Sequence, residues 1–232
     1  MPTIEELEAR INNLEHRLDS MVEERLGVLE DINQIERLQY SYGYYIDMLL
    51  YDEMAALFSE NGAIEIGQRG RYIGRDNIRH FLYEVLGTGQ AGLSKNQIIN
   101  HTQHQGIVSV DPDRQSAHGR FRAIIQASGP APVDGQSAAS ESPAALMWSD
   151  GVYENRYVKE NGQWKISLLW WSPTFYVTHP VDRLWFDTTP VSDKFPPQAA
   201  SCAPDPDLGR VFVPYHYVHP ITGERVVHKV VR

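Results

Sequence analysis

Two long strand-like stretches meet at one tight turn, and together they fix most of what this chain can fold into. Ala144 to Glu160 and Gln163 to Trp171 are rich in aromatic and β-branched residues, and Glu160-Asn-Gly162 between them is a strong hairpin signal. Upstream, His101 to Val110 and Ala117 to Gln126 read as two further strands, turned at Asp111-Pro-Asp-Arg114. Ala63 to Gly67 and Arg71 to Ile73 flank Gln68-Arg-Gly70 as a shorter hairpin. The helical patterns come earlier. Asp31 to Leu50 is the first long helix, Asp52 to Phe58 a short one with Asp52 as its cap, and Arg75 to Leu86 a third, closed by Gly87-Thr-Gly89. Helices bunched ahead of several long strands predict an α+β fold rather than α/β. Residues 128–143, rich in Gly, Pro, Ala and Ser, are expected to form a long loop near the mouth of a cavity.

The two ends have patterns of their own. Ile4, Leu7, Ile11, Leu14, Leu18 and Met21 follow a 3-4-3-4-3 spacing with Glu and Arg between them, which is a heptad seam. The pattern breaks at Arg25 and Gly27, so residues 1–27 are expected as a separate amphipathic or coiled-coil helix. Such a helix is marginal alone, and serves either as an oligomer zipper or as a helix lying on its own domain. At the other end, Pro180, Pro190, Pro196, Pro197, Pro204 and Pro206 exclude a long helix from residues 177–232. Arg210 to Val218 and Glu224 to Val231, split by His219-Pro-Ile-Thr-Gly223, predict a β-hairpin in an extended arm that could augment a sheet edge or embrace a neighbour. The middle, 28–176, is then a single core domain.

Charge and cysteine content remove several classes. A net charge of −9 without a basic face argues against nucleic-acid binding. The lone Cys202 excludes an intrachain disulfide framework and makes a Cys-based metal site implausible. No signal-type apolar region and no 18-residue apolar run occur, so neither secretion nor membrane insertion is expected, and a cytoplasmic protein is the default. No glycine fingerprint follows a strand, no phosphate-binding loop is present and no His-carboxylate spacing suits a metal, so no cofactor and no metal are expected.

Two segments carry the chemistry. Asp47 lies one helical turn beyond Gly43 and Tyr44 and two beyond Tyr40, a nearly all-aromatic face where an unpaired carboxylate is costly. It must find a buried partner or cap a turn. Asn100-His-Thr-Gln-His104 stands at a strand mouth and offers that partner. An Asp that fixes the tautomer of a His makes a general base. Strand alternation puts His101 and His104 on opposite faces, so only one points inward unless the strand is bulged. If Tyr153 points inward, so do Ser149, Gly151 and Asn155, and on the last strand Leu169, Trp171 and Pro173 share a face. Tyr42, Tyr44, Ile64, Trp148 and Trp171 are candidate walls. So many phenols and indoles either fill a core or suit a planar, hydroxylated, aromatic or polycyclic ligand. Arg120 and Arg122 alternate with Phe121 and are either outward solvated residues or cations for an oxyanion.

The order of motifs extends these readings. Ile35-Glu-Arg-Leu-Gln-Tyr-Ser-Tyr-Gly-Tyr-Tyr-Ile-Asp47, Asp52-Glu-Met-Ala-Ala-Leu-Phe58, Ala63-Ile-Glu-Ile-Gly67, Tyr72-Ile-Gly-Arg75 and Gly151-Val-Tyr-Glu-Asn-Arg-Tyr-Val-Lys-Glu-Asn-Gly-Gln-Trp-Lys-Ile166 run in sequence. Over residues 30–176 this resembles the SnoaL-like branch of the nuclear-transport-factor-2-like superfamily, and within it the scytalone dehydratase and hexachlorocyclohexane dehydrochlorinase group. The resemblance implies a cone-shaped α+β barrel, a curved mixed sheet with helices packed in its mouth. It implies Asp47 and His101 as the catalytic pair; the Tyr153 phenol, this chain's own feature, is the candidate acid or hydrogen-bond donor. Tyr42, Tyr44, Ile64, His104, Arg122, Trp148, Ser149, Asn155, Leu169 and Trp171 would bind substrate. It further implies a cofactor-free lyase acting in the degradation of aromatic compounds by dehydration, dehydrohalogenation or retro-aldol deformylation of lignin-type diaryl compounds, with isomerisation or cyclisation also in the family. The catalytic members imply a homotrimer, with a dimer as fallback. Two positions depart from the group. Gly151 and Tyr153 replace polar substrate-holding groups of scytalone dehydratase, and Leu169 stands where the dehydrochlorinase has Arg. The alternative is a non-catalytic member of the same fold, a binding module or an assembly scaffold such as the β subunits of ring-hydroxylating dioxygenases. Burial of a carboxylate beside an imidazole separates the two, since a pure scaffold has no need of it.

Overall fold

One helix, α1 (Ile4–Asp47), spans 44 residues and carries both the heptad seam and the aromatic segment. In the computed structural model the residues described are 2–67, 69–87, 89–95, 97–128, 145–180, 205–207 and 218–227. Thr3 starts α1 with a capping box: its hydroxyl accepts from the Glu6 N–H, and the Glu6 carboxylate accepts from the Thr3 N–H. The expected break at Gly27 does not occur. An added Cβ there would sit 2.2 Å from the Arg114 guanidinium, so glycine serves close packing instead of ending the helix. Four residues on, Asp31 takes three donors from the sheet: Arg114 Nε at 2.6 Å, Lys159 Nζ at 2.7 Å and Trp164 Nε1 at 2.8 Å. Burial alone would raise the Asp31 pKa, but these hydrogen bonds and the Lys159 charge outweigh it and hold it below its ordinary 3.8. From there to its end α1 is packed into the domain, with Ile35, Leu38, Tyr42, Tyr45 and Ile46 in the core.

After α1 come α2 (Tyr51–Ala56), β1 (Phe58–Ile66), β2 (Arg71–Ile73) and α3 (Arg75–Phe81), followed by a wide turn over Leu82–Leu86. Asp52 does not cap α2, whose cap position is Leu50; its carboxylate pairs with Arg79 at 2.7 Å. Phe58 is already strand, because its ring fills the core. Then follow β3 (Ile99–Val110), β4 (Ser116–Ser128), β5 (Ala145–Glu160) and β6 (Gln163–Pro180). The strand order is β2-β1-β6-β5-β4-β3, with β1 parallel to β6 and every other pair antiparallel. The cone is therefore an open mixed sheet with β2 and β3 at its edges, not a closed barrel. Strand β6 runs nine residues past Trp171, through Pro173. A proline is tolerated there because the β5–β6 ladder shifts register between Asp150 and Gly151, opposite it. Phe121, Ala123, Tyr153, Tyr157 and Trp171 line the buried concave side that α1 covers.

Near the C-terminus, Val218 and Arg225 pair across a turn. His219 lies within this turn, buried and stacked on Tyr45 with ring centroids 5.3 Å apart. Its Nε2 lies 2.8 Å from the Glu53 carbonyl, and its Nδ1 accepts from the Ile221 and Thr222 N–H groups at 3.1 and 3.2 Å. The histidine is thus a staple that holds the turn on the domain. The rest of the expected C-terminal hairpin, Cys202 and nearly all of the 128–143 loop lie outside the described residues.

Candidate active site

Asp47 is the last residue of α1, and His101 the third of the edge strand β3. The ladder from His101 to Ile125 on β4 fixes that strand against the sheet, so the imidazole is set opposite the helix end. Asp47 Oδ1 accepts from the His101 backbone N–H at 2.7 Å and lies 3.1 Å from His101 Nδ1. A carboxylate can only accept, so Nδ1 carries a proton, and in the neutral imidazole Nε2 is left with its lone pair. Side-chain exposure is 19% for Asp47 and 12% for His101, so the pair is sheltered yet reachable.

His101 forms part of the wall between two hollows. One is a pocket of about 190 Å³ lined by Tyr42, Ile46, Ile125, Met147, Tyr153 and Trp171, with the exposed Arg69 and Tyr176 also on its lining. The other is an open groove of about 420 Å³ between α1 and the β3 edge, bordered by Tyr40, Tyr44, Asp47, Asn100 and His104. Inside the cavity Tyr42 and Tyr153 meet edge to face at 5.8 Å and share a hydrogen bond, and Tyr153 packs on Trp171 at 4.7 Å. Burial pushes both phenols well above their ordinary pKa, so they stay protonated and can donate.

Of the expected site residues, the structure brings His101, Asp47, Tyr42, Tyr153 and Trp171 together. His104 is exposed and lines only the outer groove, consistent with alternation, and the ladder shifts register just after it, where Gln105 takes a positive φ of 49°. Tyr44 is corrected in the same way: two residues from Tyr42 is about 200° around a helix, so it faces the groove. Trp148 and Arg122 stand on the convex side of the sheet, where Arg122 pairs with Asp150 at 2.9 Å. Arg120 likewise pairs with Glu154 on that side. Ile64 and Leu169 are fully buried in the core and touch neither hollow. Ser149 and Asn155 point inward but are already occupied. The Ser149 hydroxyl donates to the Phe175 carbonyl at 2.9 Å. Asn155 Nδ2 donates to Gln39 Oε1 at 2.7 Å, and Gln39 in turn donates to Gln103 and accepts from the Tyr157 hydroxyl. The cavity residues missed by sequence reasoning are chiefly apolar, Ile99, Ile125, Ala127 and Met147, together with Arg69 and Tyr176. Strand parity with Tyr153 could have found Met147. Among the described residues no three His, Cys, Asp or Glu side chains converge as metal ligands, and no helix is long and apolar enough to cross a membrane.

Residues 27–169 match the SnoaL-like domain family. No curated protein matches the chain. Among solved structures, a protein of Novosphingobium aromaticivorans assigned provisionally as a scytalone dehydratase is 22% identical, with a TM-score of 0.50 over 66% of this chain and 90% of its own. LinA is 14% identical, with a TM-score of 0.55 over 72% of this chain and 99% of its own. LinA type 2, a hexachlorocyclohexane dehydrochlorinase, is 16% identical, with a TM-score of 0.49 over 67% and 91%. At such identities the likeness is one of fold.

Proposed function

The chain belongs to the SnoaL-like domain family, and from that premise we propose that it is a cofactor-independent lyase whose Asp47–His101 pair abstracts a proton from an aromatic or polycyclic small molecule. One observation carries the reading: a carboxylate holds an imidazole in a single tautomer at the wall of an apolar cavity that also contains two protonated phenols. His101 Nε2 takes a proton from a carbon beside the leaving group. The C–H electron pair becomes the new double bond, and the leaving group departs with its bonding pair. Asp47 stabilises the imidazolium that forms, and the two N–H contacts to its Oδ1 keep it in place. The Tyr42–Tyr153 phenols donate a hydrogen bond to the developing oxyanion or the departing oxygen. Dehydration fits this scheme best, since charge develops on the departing oxygen; in retro-aldol deformylation His101 would instead take a hydroxyl proton, the O–H pair becoming the carbonyl of formaldehyde as the C–C bonding pair passes to the remaining carbon. For dehydrohalogenation position 169 holds Leu, and Arg69 on the cavity lining is the cation that would meet a halide.

The test is a screen of the purified protein, without added cofactor, against lignin-type diaryl compounds, hydroxylated naphthalenes and steroid alcohols. His101→Ala should lower turnover by about 10²–10⁴-fold with the fold intact by circular dichroism. Asp47→Asn should be nearly as damaging, because an amide can hold the wrong tautomer and cannot support an imidazolium. Full activity in either variant would remove the dyad from the mechanism.

A further inference from the structure

Through Leu26 every residue of α1 is exposed among the described residues, and yet the helix is apolar along one stripe. The heptad seam from Ile4 to Met21 stands exposed along its whole length, with Ile4 at 76% and Leu14 at 58%. The stripe does not stop at Met21. It continues from Leu18 through Val22, Leu26 and Leu29 at a 4-4-3 spacing, and Leu29 is 63% exposed. Eleven residues in three turns keep an apolar row on one side of a nearly straight helix, so the change of spacing extends the seam without breaking it. It ends at Leu29, just before Asp31 enters the domain; away from the stripe, burial has already begun at Gly27, which packs on Arg114. The result is an arm of roughly 39 Å, capped at its start by the Thr3–Glu6 box and joined to the domain without a hinge. Most of a helix's stability in a protein comes from packing its apolar face, and among the described residues nothing covers this row.

Charge decides what does. With Ile4 and Ile11 at core position a and Leu7 and Leu14 at d, Glu8 and Glu15 fall at e, and Arg10 and Arg17 at g. In a parallel pair a g residue faces the e residue five positions further along the other helix, so Arg10 meets Glu15. In an antiparallel pair g faces g and e faces e, which sets Arg against Arg and Glu against Glu. We propose that residues 4–29 form a parallel, in-register coiled coil with the same residues of a second copy of this chain. Ile at a with Leu at d is also the composition that favours two strands. The parallel arrangement sends both domains out from the same end of the coil. The inference is independent of the reaction proposed above.

The experiment uses the full chain. Sedimentation equilibrium should give a self-associated species at micromolar concentration, and Arg10→Glu should weaken association by about tenfold at low salt, since two symmetry-related pairs turn from attractive to repulsive. The double variant Arg10→Glu with Glu15→Arg should recover it. An antiparallel coil predicts the reverse sign, tighter association for Arg10→Glu, and that result would overturn the proposal, as would a monomer or no response to either variant. A disulfide readout checks orientation where charge effects are small. In a Cys202→Ser background, Leu7→Cys should oxidise readily to a covalent dimer, because the two d positions face each other. In an antiparallel coil the same cysteines lie roughly 28 Å apart and only a mixture with Leu26→Cys would cross-link, which defeats the idea.

Discussion

At Asp47 and His101 the sequence was legible because the cost of an unpaired carboxylate is independent of fold. An acid on an aromatic helix face needs a partner, and a histidine about fifty residues on at a strand mouth can be one. Other residues of the expected site obey simpler rules that the aromatic count overrode. Trp148 and Tyr153 differ by five positions and cannot share one face of a regular strand, and the same parity puts Arg122 opposite to Phe121. Asn155 was beyond reach of sequence, since its partner Gln39 is 116 positions away. His219 looked bland among the tail histidines and is instead a buried staple. Burial, which disfavours its charged form, outweighs the Glu53 and Glu224 contributions and lowers its pKa below the ordinary 6.5. The sign follows directly. Above 6.5 both folded and unfolded chains hold the residue neutral, and below it the unfolded chain takes up a proton that the folded site refuses. Its contribution to stability is therefore full above the ordinary value and lost as pH falls below it. Thermal melts between about pH 7 and about pH 5 should show a falling Tm, with a flatter profile for His219→Gln. An unchanged slope in that variant would place the titrating group elsewhere.

Among the elements, strands were easier to foresee than helix ends. The turns at Asp111–Arg114 and Glu160–Gly162 are local chemistry, so both hairpins came out as expected. Gly27 misled because a glycine in a helix reads as a stop, whereas its role is to admit a side chain 87 positions away. The end of β6 was missed for the complementary reason: Pro173 reads as a terminus unless the partner strand is known to shift register beside it. The joint that fastens α1 to the sheet is Asp31, whose side chain is only 2% exposed. Removing it strands Lys159, itself mostly buried, while Arg114 can turn to water. Asp31→Ala should therefore cost about 3 kcal/mol in urea unfolding, the lower end for breaking a buried pair. Lys159→Met should cost less, because Arg114 and Trp164 still satisfy the carboxylate. Equal stability of Asp31→Ala and the native protein would show that apolar packing alone seats the helix.

For the molecule as a whole, the fold class followed from the block order of helices and strands, but closure did not. Whether a curved sheet shuts into a barrel depends on its two edge strands, here β2 and β3, meeting, and no local pattern records that they remain apart. Catalysis without a metal is a property of the whole protein and is open to test: exhaustive dialysis against a chelator should leave turnover unchanged on any substrate the screen finds. Loss of activity restored by one divalent cation would shift the chemistry to a metal-assisted class. Finally, α1 is one rod from Ile4 to Asp47, with the carboxylate at one tip and the exposed stripe at the other. Length and azimuth along such a rod are inseparable. A single residue inserted between Gly27 and Asp31 would swing the whole N-terminal half by about 100° about the axis, aiming the stripe away from where it now points. Homologues that keep the arm should therefore differ in length there only by steps that restore the phase, about three or four residues or seven, and a one-residue difference should mark a lineage that has abandoned it.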